Sequence, residues 1–272
     1  MPSVILSYSK QNTTIGDLNG SVVLQQFIKF PERARNFHIQ LIRASFSSLI
    51  PNVFNYAGEN NGLFSLSRDG GTSWTDVQLN DGVYEMKYIE AALNAAVAAW
   101  WTDPLDYGIK VRYNFATQYA YIELDSTKLA APGTQLGIDL SKSNAYELLG
   151  FPLATCTFVT DGLHAATSYA RMNWFGDSVS VRLDGFGAIA IRNGASSREL
   201  CSVSLVSQGT TGNEYVYPVG LPSPMISLSS VPSVLSEYKL EFVGSRVFSD
   251  GSQKKIYILE GAVEVIFKLS WD

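Results

Sequence analysis

The chain has 272 residues and a formal charge of −5, because 20 Lys and Arg residues oppose 25 Asp and Glu residues. Charged residues make up 17% and hydrophobic residues 46% of the sequence, which excludes a disordered chain and indicates a sizeable core. The lack of a basic excess argues against nucleic-acid binding by the whole surface.

Most apolar segments are short and alternate with polar residues, which is the pattern of β-strands. Asp-Gly pairs at 69, 81, 161, 184 and 250 mark turns between them. The predicted strands and hairpins are, in chain order, 22–28, 37–46, 63–66 with 74–79, 109–115 with 119–124, 179–183 with 188–192, 200–207, 238–243, 255–259 and 263–271. Their even spacing predicts an all-β protein built as an antiparallel sandwich.

One segment, over about residues 84–101, is predicted to be an amphipathic helix. Its apolar positions are spaced by four, four and three residues: Ile89, Leu93, Val97 and Trp100. Several of the positions between them are alanine, the strongest helix former. Asn80 or Asp81 is expected to cap the start of this helix. A second, shorter helix is predicted over residues 143–149, ended by Gly150.

We predict a polar N-terminal arm over residues 1–20, followed by a single β domain over residues 21–272. A loop insertion is expected within about residues 152–193. Residues 1–45 carry a net charge of +3, because five Lys and Arg residues oppose two acidic ones. This bias would suit an anionic partner such as packaged nucleic acid, but the residues alone favour a solvated strand edge.

No targeting or membrane segment is visible in the sequence. Residues 1–14 contain no apolar core of signal-peptide length. The longest uncharged run, residues 215–236, carries four prolines and many serines, a composition foreign to a membrane helix. We therefore expect a soluble protein that is made in the cytosol and has no membrane span.

The two histidines give little support to a catalytic function. His38 lies in a predicted strand, at the parity opposite Phe37 and Ile39, and is expected to face solvent. His164 lies in a predicted polar loop, where the local sequence offers it no partner for a role as a base. No Gly-x-Ser-x-Gly nucleophile elbow is present.

Metal-ligand motifs and phosphate-binding loops are also missing from the sequence. Asp103 and Asp106 are paired acids of the kind used in glycoside hydrolysis, but a polar helix end and turn is the far more common explanation of such a pair. Cys156 and Cys201 stand among apolar neighbours and are expected to be buried free thiols. The sequence therefore predicts no catalytic, cofactor-binding or metal site.

Several short motifs follow one another in a characteristic order from about residue 36 to the end of the sequence. They are Arg43-Ala44-Ser45-Phe46, Ile50-Pro51-Asn52-Val53-Phe54-Asn55-Tyr56, Asn60-Asn61, Asp81-Gly82-Val83-Tyr84, Ile89 with Leu93-Asn94, Tyr113-Asn114 with Tyr121-Ile122-Glu123-Leu124, Leu148-Leu149-Gly150-Phe151-Pro152, and Glu260-Gly261-Ala262-Val263-Glu264-Val265. In this order and spacing, the sequence resembles the penton, or vertex minor capsid, proteins of the polinton, virophage and adintovirus lineage of double-stranded DNA viruses.

The resemblance implies a jelly-roll sandwich into which the helix at about 84–101 is inserted. It implies a structural virion protein, of which five copies close each fivefold vertex of an icosahedral capsid and contact the neighbouring major capsid protein. It implies no enzyme activity, no cofactor and a location at the capsid vertex after synthesis in the host cytosol. The polar segment 7–19 would then be a tether that orders on assembly, and the basic N-terminal region would contact the packaged genome weakly.

Two other functions remain open at this stage. A fibre head or lectin-like sandwich would bind a receptor or glycan through exposed aromatic side chains, for which the sequence offers Trp74, Trp100, Trp101 and Trp174. A hydrolase with a catalytic triad scattered along the chain would require His38 or His164.

Overall fold

The computed structural model describes residues 1–48, 50–67, 69, 71–100, 108–125, 127, 137–152, 161–186, 190–192, 195–197, 199–204, 214–216, 225–228, 231–248 and 251–272. The chain divides into two compact units, where a single domain was predicted over residues 21–272. Unit 1 comprises residues 1–50 and 175–272, and unit 2 comprises residues 51–174. No polar linker marks either boundary in the sequence, so composition alone did not reveal the division.

Strands dominate the described part of the chain. In chain order the elements are β1 (Ser3–Asn12), β2 (Gly16–Asp17), β3 (Gly20–Lys29), β4 (His38–Ser48), β5 (Asn55–Tyr56), β6 (Glu59–Asn60), β7 (Leu63–Ser67), β8 (Thr75–Gln78), α1 (Met86–Trp100), β9 (Ile109–Asn114), β10 (Tyr119–Leu124), β11 (Gly137–Asp139), α2 (Ala145–Leu149), β12 (Gly162–Ala165), β13 (Ser178–Asp184), β14 (Ala190–Arg192), β15 (Ala195–Ser197), β16 (Glu199–Ser204), β17 (Glu214–Val216), β18 (Ile226–Ser227), β19 (Val234–Val247), β20 (Gln253–Lys255), β21 (Tyr257–Ile258) and β22 (Gly261–Ser270).

Unit 1 has the strand order of a jelly roll. Its eight principal strands are, in chain order, β1, β3, β4, β13, β16, β17, β19 and β22. The first pairs with the eighth, the second with the seventh, the third with the sixth and the fourth with the fifth, all antiparallel. One sheet then runs β1-β22-β4-β17, and the other contains β16-β13-β19 with β3 on the far side of β19. This nested pairing confirms the predicted all-β jelly-roll sandwich.

The inner faces of the two sheets pack against each other through aromatic side chains. The ring of Phe267 on β22 meets that of Tyr238 on β19 edge-on, with centroids 5.3 Å apart. Tyr8 on β1 lies 6.2 Å from Phe242 on β19. Buried and partly exposed residues alternate along β22 from Val263 to Leu269, as expected for a strand with one face in the core.

The predicted polar N-terminal arm is in fact largely an edge strand. Strand β1 pairs with β22 over ten residues, from Ser3 opposite Ser270 to Asn12 opposite Gly261. Leu6 and Tyr8 are buried, and the serines between and after them point away from the core. The serines gave this segment its polar composition, but their alternation with apolar residues is the pattern of a strand with one buried face.

Two buried tyrosines give unit 1 an expected sensitivity to alkaline pH. Burial and the charge of Asp17 raise the pKa of Tyr8 to about 12, and burial raises the pKa of Tyr238 to about 12. The Tyr8 hydroxyl donates to the Leu18 carbonyl at 2.7 Å, and that of Tyr238 donates to the Ser7 carbonyl. An unfolded tyrosine ionises near pH 10. The folded state therefore keeps the protons longer, and its stability falls as pH rises from about 10 towards 12.

Urea unfolding of unit 1 at a series of pH values tests this expectation. The wild-type protein should lose more stability above pH 10 than the Tyr238→Phe variant, which has no phenol to ionise at this position. Equal alkaline losses in the two proteins would contradict the assignment.

Unit 2 is inserted in the sequence between the third and fourth principal strands of unit 1. It contains the sheets β12-β10-β9 and β11-β7-β8, together with a small hairpin of β5 and β6. Helix α1 confirms the predicted amphipathic helix, since Ile89, Leu93 and Val97 are all buried in the core of this unit. It begins at Met86, not near Asp81, whose carboxylate instead accepts from the Asn55 amide at 2.7 Å.

Local hairpins were predicted more accurately than distant pairings. The hairpins β7–β8 and β9–β10 match the predicted pairs. The predicted hairpin of 179–183 with 188–192 is wrong: β13 pairs with β16 and β19, whereas β14 pairs with β15. The predicted loop insertion at about 152–193 falls partly outside the described residues, and its described part includes β12 and β13.

Candidate functional site

The two histidines belong to different compact units. His38 begins β4 in unit 1, is half-buried and lines a cavity of about 590 Å³ with Arg35 and Asp272, so it is less exposed than predicted. His164 lies on strand β12 of unit 2, opposite Ile122 of β10, and not in the predicted loop. The structure therefore places both histidines on β-strands.

Of the other residues considered for chemistry, the described part of the chain contains Cys201. Burial, with a smaller contribution from the charge of Glu199, raises the pKa of its thiol to about 12, which confirms a buried and unreactive cysteine. Cys156, Asp103 and Asp106 lie outside the described residues. Within the described ranges, no group of three His, Cys, Asp or Glu side chains is placed to hold a metal ion.

Of the four tryptophans proposed for a lectin-like platform, the two whose side chains the structure describes, Trp74 and Trp174, are not fully exposed. Trp174 is buried and packs edge-on against Phe54, with ring centroids 5.8 Å apart. Trp74 is half-buried. Trp101 lies outside the described residues, as does the side chain of Trp100.

No helix among the described residues has the length and apolarity needed to cross a membrane.

The asparagines in the sequence motifs are clamps that hold segments of unit 2 together. Asn61 is fully buried; its amide oxygen accepts from the Phe54 amide at 2.8 Å, and its amide nitrogen donates to the Asn52 carbonyl at 2.7 Å. The Asn52 side chain in turn bridges both main-chain groups of Tyr84, at 2.6 and 2.9 Å. These motif residues therefore satisfy buried main-chain groups, a structural role.

Asn94 makes the same kind of clamp between helix α1 and strand β9. Its side chain donates to the Val111 carbonyl at 2.9 Å and accepts from the Val111 amide at 2.8 Å. The side chain thus binds to β9 like an additional strand residue, although it sits on a helix. The Leu93-Asn94 pair in the sequence combines a core residue with this clamp.

Two neighbouring edge strands form the most distinctive surface of unit 1. Strand β1 pairs only with β22, and β3 only with β19, among the strands that the structure describes. They approach each other where β3 begins, because a Cβ atom on Gly20 of β3 would sit 2.5 Å from the Tyr8 hydroxyl of β1. We call the exposed residues within positions 3–9 of β1 and 23–27 of β3 the β1–β3 side: Ser3, Ile5, Ser7, Ser9, Val23, Gln25, Gln26 and Phe27.

The β1–β3 side is apolar in places and carries no charge. Ile5, Val23 and Phe27 are 65%, 70% and 61% exposed. Strand β3 is irregular here: Val23 lies opposite Glu237 and Ile28 opposite Leu235, so four residues of β3 bulge out beside one of β19. Exposed edge strands usually carry charges or proline that prevent pairing with other chains. The β1–β3 side lacks both, and the exposed Lys29 lies beyond it at the end of β3.

Unit 2 carries an open cavity of about 930 Å³ on the face of the sheet β12-β10-β9 that is turned away from its core. Ile109, Val111 and Ile122 occupy the opposite, buried face of the same strands. Side chains of both charge signs and exposed aromatic rings line this sheet-face cavity. Its volume is that of a small-molecule site, whose walls are usually apolar with a few polar groups.

Two solved structures are similar to this chain over almost its whole length. The chain is similar to the mavirus penton protein, with a TM-score of 0.45 and 9% identity over 100% of both chains. It is similar to a chain in the structure of the Sputnik virophage, with a TM-score of 0.40 and 13% identity over 97% of both chains. No protein-family model and no curated protein matches the sequence.

Proposed function

We propose that this protein is a structural virion protein, a penton subunit that forms a homopentamer at the fivefold vertices of an icosahedral capsid. It is made in the host cytosol, acts in the virion, and has the neighbouring major capsid protein as its second partner. Its function is assembly, and it performs no catalysis.

The uncharged β1–β3 side is the observation that carries this proposal. Water-exposed valine, isoleucine and phenylalanine on edge strands favour burial against another chain. A ring with cyclic symmetry uses two different patches on each subunit, one of which meets the other on the next copy. The β1–β3 side serves as one of these two patches. The low charge of the whole sequence, 17%, suits a subunit with such interfaces.

Only part of the positive charge of residues 1–45 supports a contact with the packaged genome. Lys10 pairs with Asp17 at 3.1 Å, and Arg43 lies 3.6 Å from Glu264. Lys29 and Arg33 are exposed, and they are the cations we assign to a weak contact with the genome.

Light scattering after size exclusion tests the assembly. The purified wild-type chain should elute at five times its 29.8 kDa mass and show fivefold rings in negative-stain images. The double variant Val23→Asp with Phe27→Asp should elute as a folded monomer, because burial of two carboxylates in the ring contact is costly.

The matched control is the double variant Met225→Asp with Val247→Asp, which changes two other exposed apolar residues of unit 1 in the same way. It should keep the mass of the wild-type ring. A trimeric or monomeric wild-type protein would contradict the homopentamer. If the double variant at Val23 and Phe27 still forms rings, the β1–β3 side is not part of the ring contact.

A further inference from the structure

The sheet-face cavity of unit 2 has an aromatic end that is held in a fixed position. Phe115 is 65% exposed, yet its ring meets that of Tyr113 edge-on with centroids 4.9 Å apart. The preceding residue, Asn114, closes the hairpin turn by accepting from the Ala116 amide at 2.9 Å and from the Thr117 amide at 3.2 Å. An exposed ring on a braced turn offers an apolar platform that needs little ordering when a ligand binds.

The opposite end of the cavity is acidic. Leu124 of β10 pairs with Gly162 of β12, and this register places Asp125 beside Asp161 at the ends of the two strands. From Tyr121, near the aromatic end, to Asp125 the strand spans about 13 Å. The cavity is therefore long enough for an extended ligand and is not confined to a single ion.

An ion pair lies between the two ends. The Arg112 guanidinium donates from Nε to Glu123 at 3.0 Å, and its Nη2 lies 3.0 Å from the same carboxylate oxygen. Arginine carries five N–H donors, so Glu123 fixes the orientation of Arg112 and leaves donors for a ligand. The lining thus offers donors at Arg112 and acceptors at the carboxylates within one cavity.

We propose that the sheet-face cavity binds a neutral oligosaccharide. A sugar ring has an apolar face that packs on an aromatic ring and hydroxyl groups that both donate and accept hydrogen bonds. Its hydroxyls donate to Asp125 and Asp161 and accept from Arg112, while its apolar face packs on Phe115. This site is separate from the assembly contact proposed for unit 1.

Charge distinguishes the neutral sugar from other ligands. The cavity has three carboxylates against one guanidinium, which disfavours sialylated or sulfated glycans and phosphates. A cationic ligand is disfavoured as well, because the positively charged Arg112 lies between the two ends of the cavity. A peptide added as a further strand would need main-chain groups, which lie in the plane of the sheet, whereas the cavity presents side chains above that plane.

A glycan array containing neutral, sialylated and sulfated oligosaccharides tests the proposal on the full-length protein. Neutral glycans should bind, and titration calorimetry with the strongest neutral hit should show a single class of site. The Phe115→Ala variant should bind this glycan about threefold to tenfold more weakly, because it loses the stacking platform. The Asp161→Asn variant should bind about fivefold more weakly, because a charged acceptor becomes neutral.

The Tyr88→Ala variant is the matched control, because Tyr88 is another exposed aromatic residue of unit 2, on helix α1, and does not line the cavity. It should bind like the wild type. No binding to neutral glycans, a preference for anionic glycans, binding to arginine-rich peptides instead, or equal binding by the Phe115→Ala variant would each overturn the proposal. Light scattering on the same preparations keeps the two proposals distinguishable, since rings without glycan binding contradict only this one.

Discussion

Replacement of Phe267 by alanine is expected to lower the free energy of unfolding of unit 1 by about 3 to 5 kcal/mol. The side chain is fully buried between the two sheets, and its ring packs edge-on against Tyr238. The strands on both sides are tied into the nested pairings of the jelly roll, so the cavity cannot close by a simple shift. The loss amounts to a large part of the total stability of a domain.

Hydrogen exchange of the β22 amides across a urea series measures this effect within unit 1. The Met225→Ala variant is the matched control, since it truncates a large apolar side chain at an exposed position of the same unit, outside the proposed ring contact. It should change the unfolding free energy by less than about 0.5 kcal/mol. If the two variants lost similar stability, Phe267 would not be a core residue of the sandwich.

Replacement of Gly150 by alanine is expected to destabilise unit 2 by about 2 to 5 kcal/mol. Gly150 ends helix α2 with φ of 81°, a left-handed conformation that residues with a Cβ atom avoid. An added Cβ atom would also lie 2.2 Å from the Ser168 carbonyl oxygen. The Ser168 amide donates to the Gly150 carbonyl at 2.9 Å, so the crowded segment cannot move away without losing this hydrogen bond.

The Gly58→Ala variant separates the two causes. Gly58 has a similar φ of 82° in the same unit, but an added Cβ atom there would meet nothing within 4 Å. We expect it to cost about 1 kcal/mol, the strain of the backbone alone. Hydrogen exchange of β10 amides in urea reports on both variants. Equal losses would show that the close approach to Ser168 does not matter.

Helix α1 and the hairpins β7–β8 and β9–β10 could be predicted because their signals are local. The spacing of Ile89, Leu93 and Val97 fixes a helix face without knowledge of its partner. A turn between two apolar runs fixes a hairpin in the same way. Gly150 was predicted as a helix stop for the same reason, and the structure confirms it.

Pairings between distant strands could not be predicted in this way. Strand β13 pairs with β16 and β19, and no local signal distinguishes these partners from the nearer segment that forms β14. Strand β1 resembles a polar arm in the sequence because the strand with which it pairs, β22, lies at the other end of the chain. The jelly-roll order came only from the resemblance to a family, not from periodicity.

The sheet-face cavity was missed for a related reason. Asp125 and Asp161 are brought together by the register of β10 with β12, which no spacing in the sequence encodes. Phe115 alone gave a local signal, as a large apolar residue placed at a hairpin turn. Tryptophan is the largest aromatic residue that the sequence offers for such a platform, but Trp174 is a core residue.

The nested pairing of unit 1 imposes an order on its folding during synthesis. Residues 51–174 leave the ribosome as a continuous segment with a core of their own, so unit 2 can fold while the chain is still growing. Strand β1 is made before β22, which follows about 250 residues later, and its ladder cannot form until β22 has been synthesised. During that interval of tens of seconds its edge is open to chaperones and to other nascent chains. Synthesis from the N-terminus to the C-terminus thus leaves β1 without its partner strand until β22 has been made.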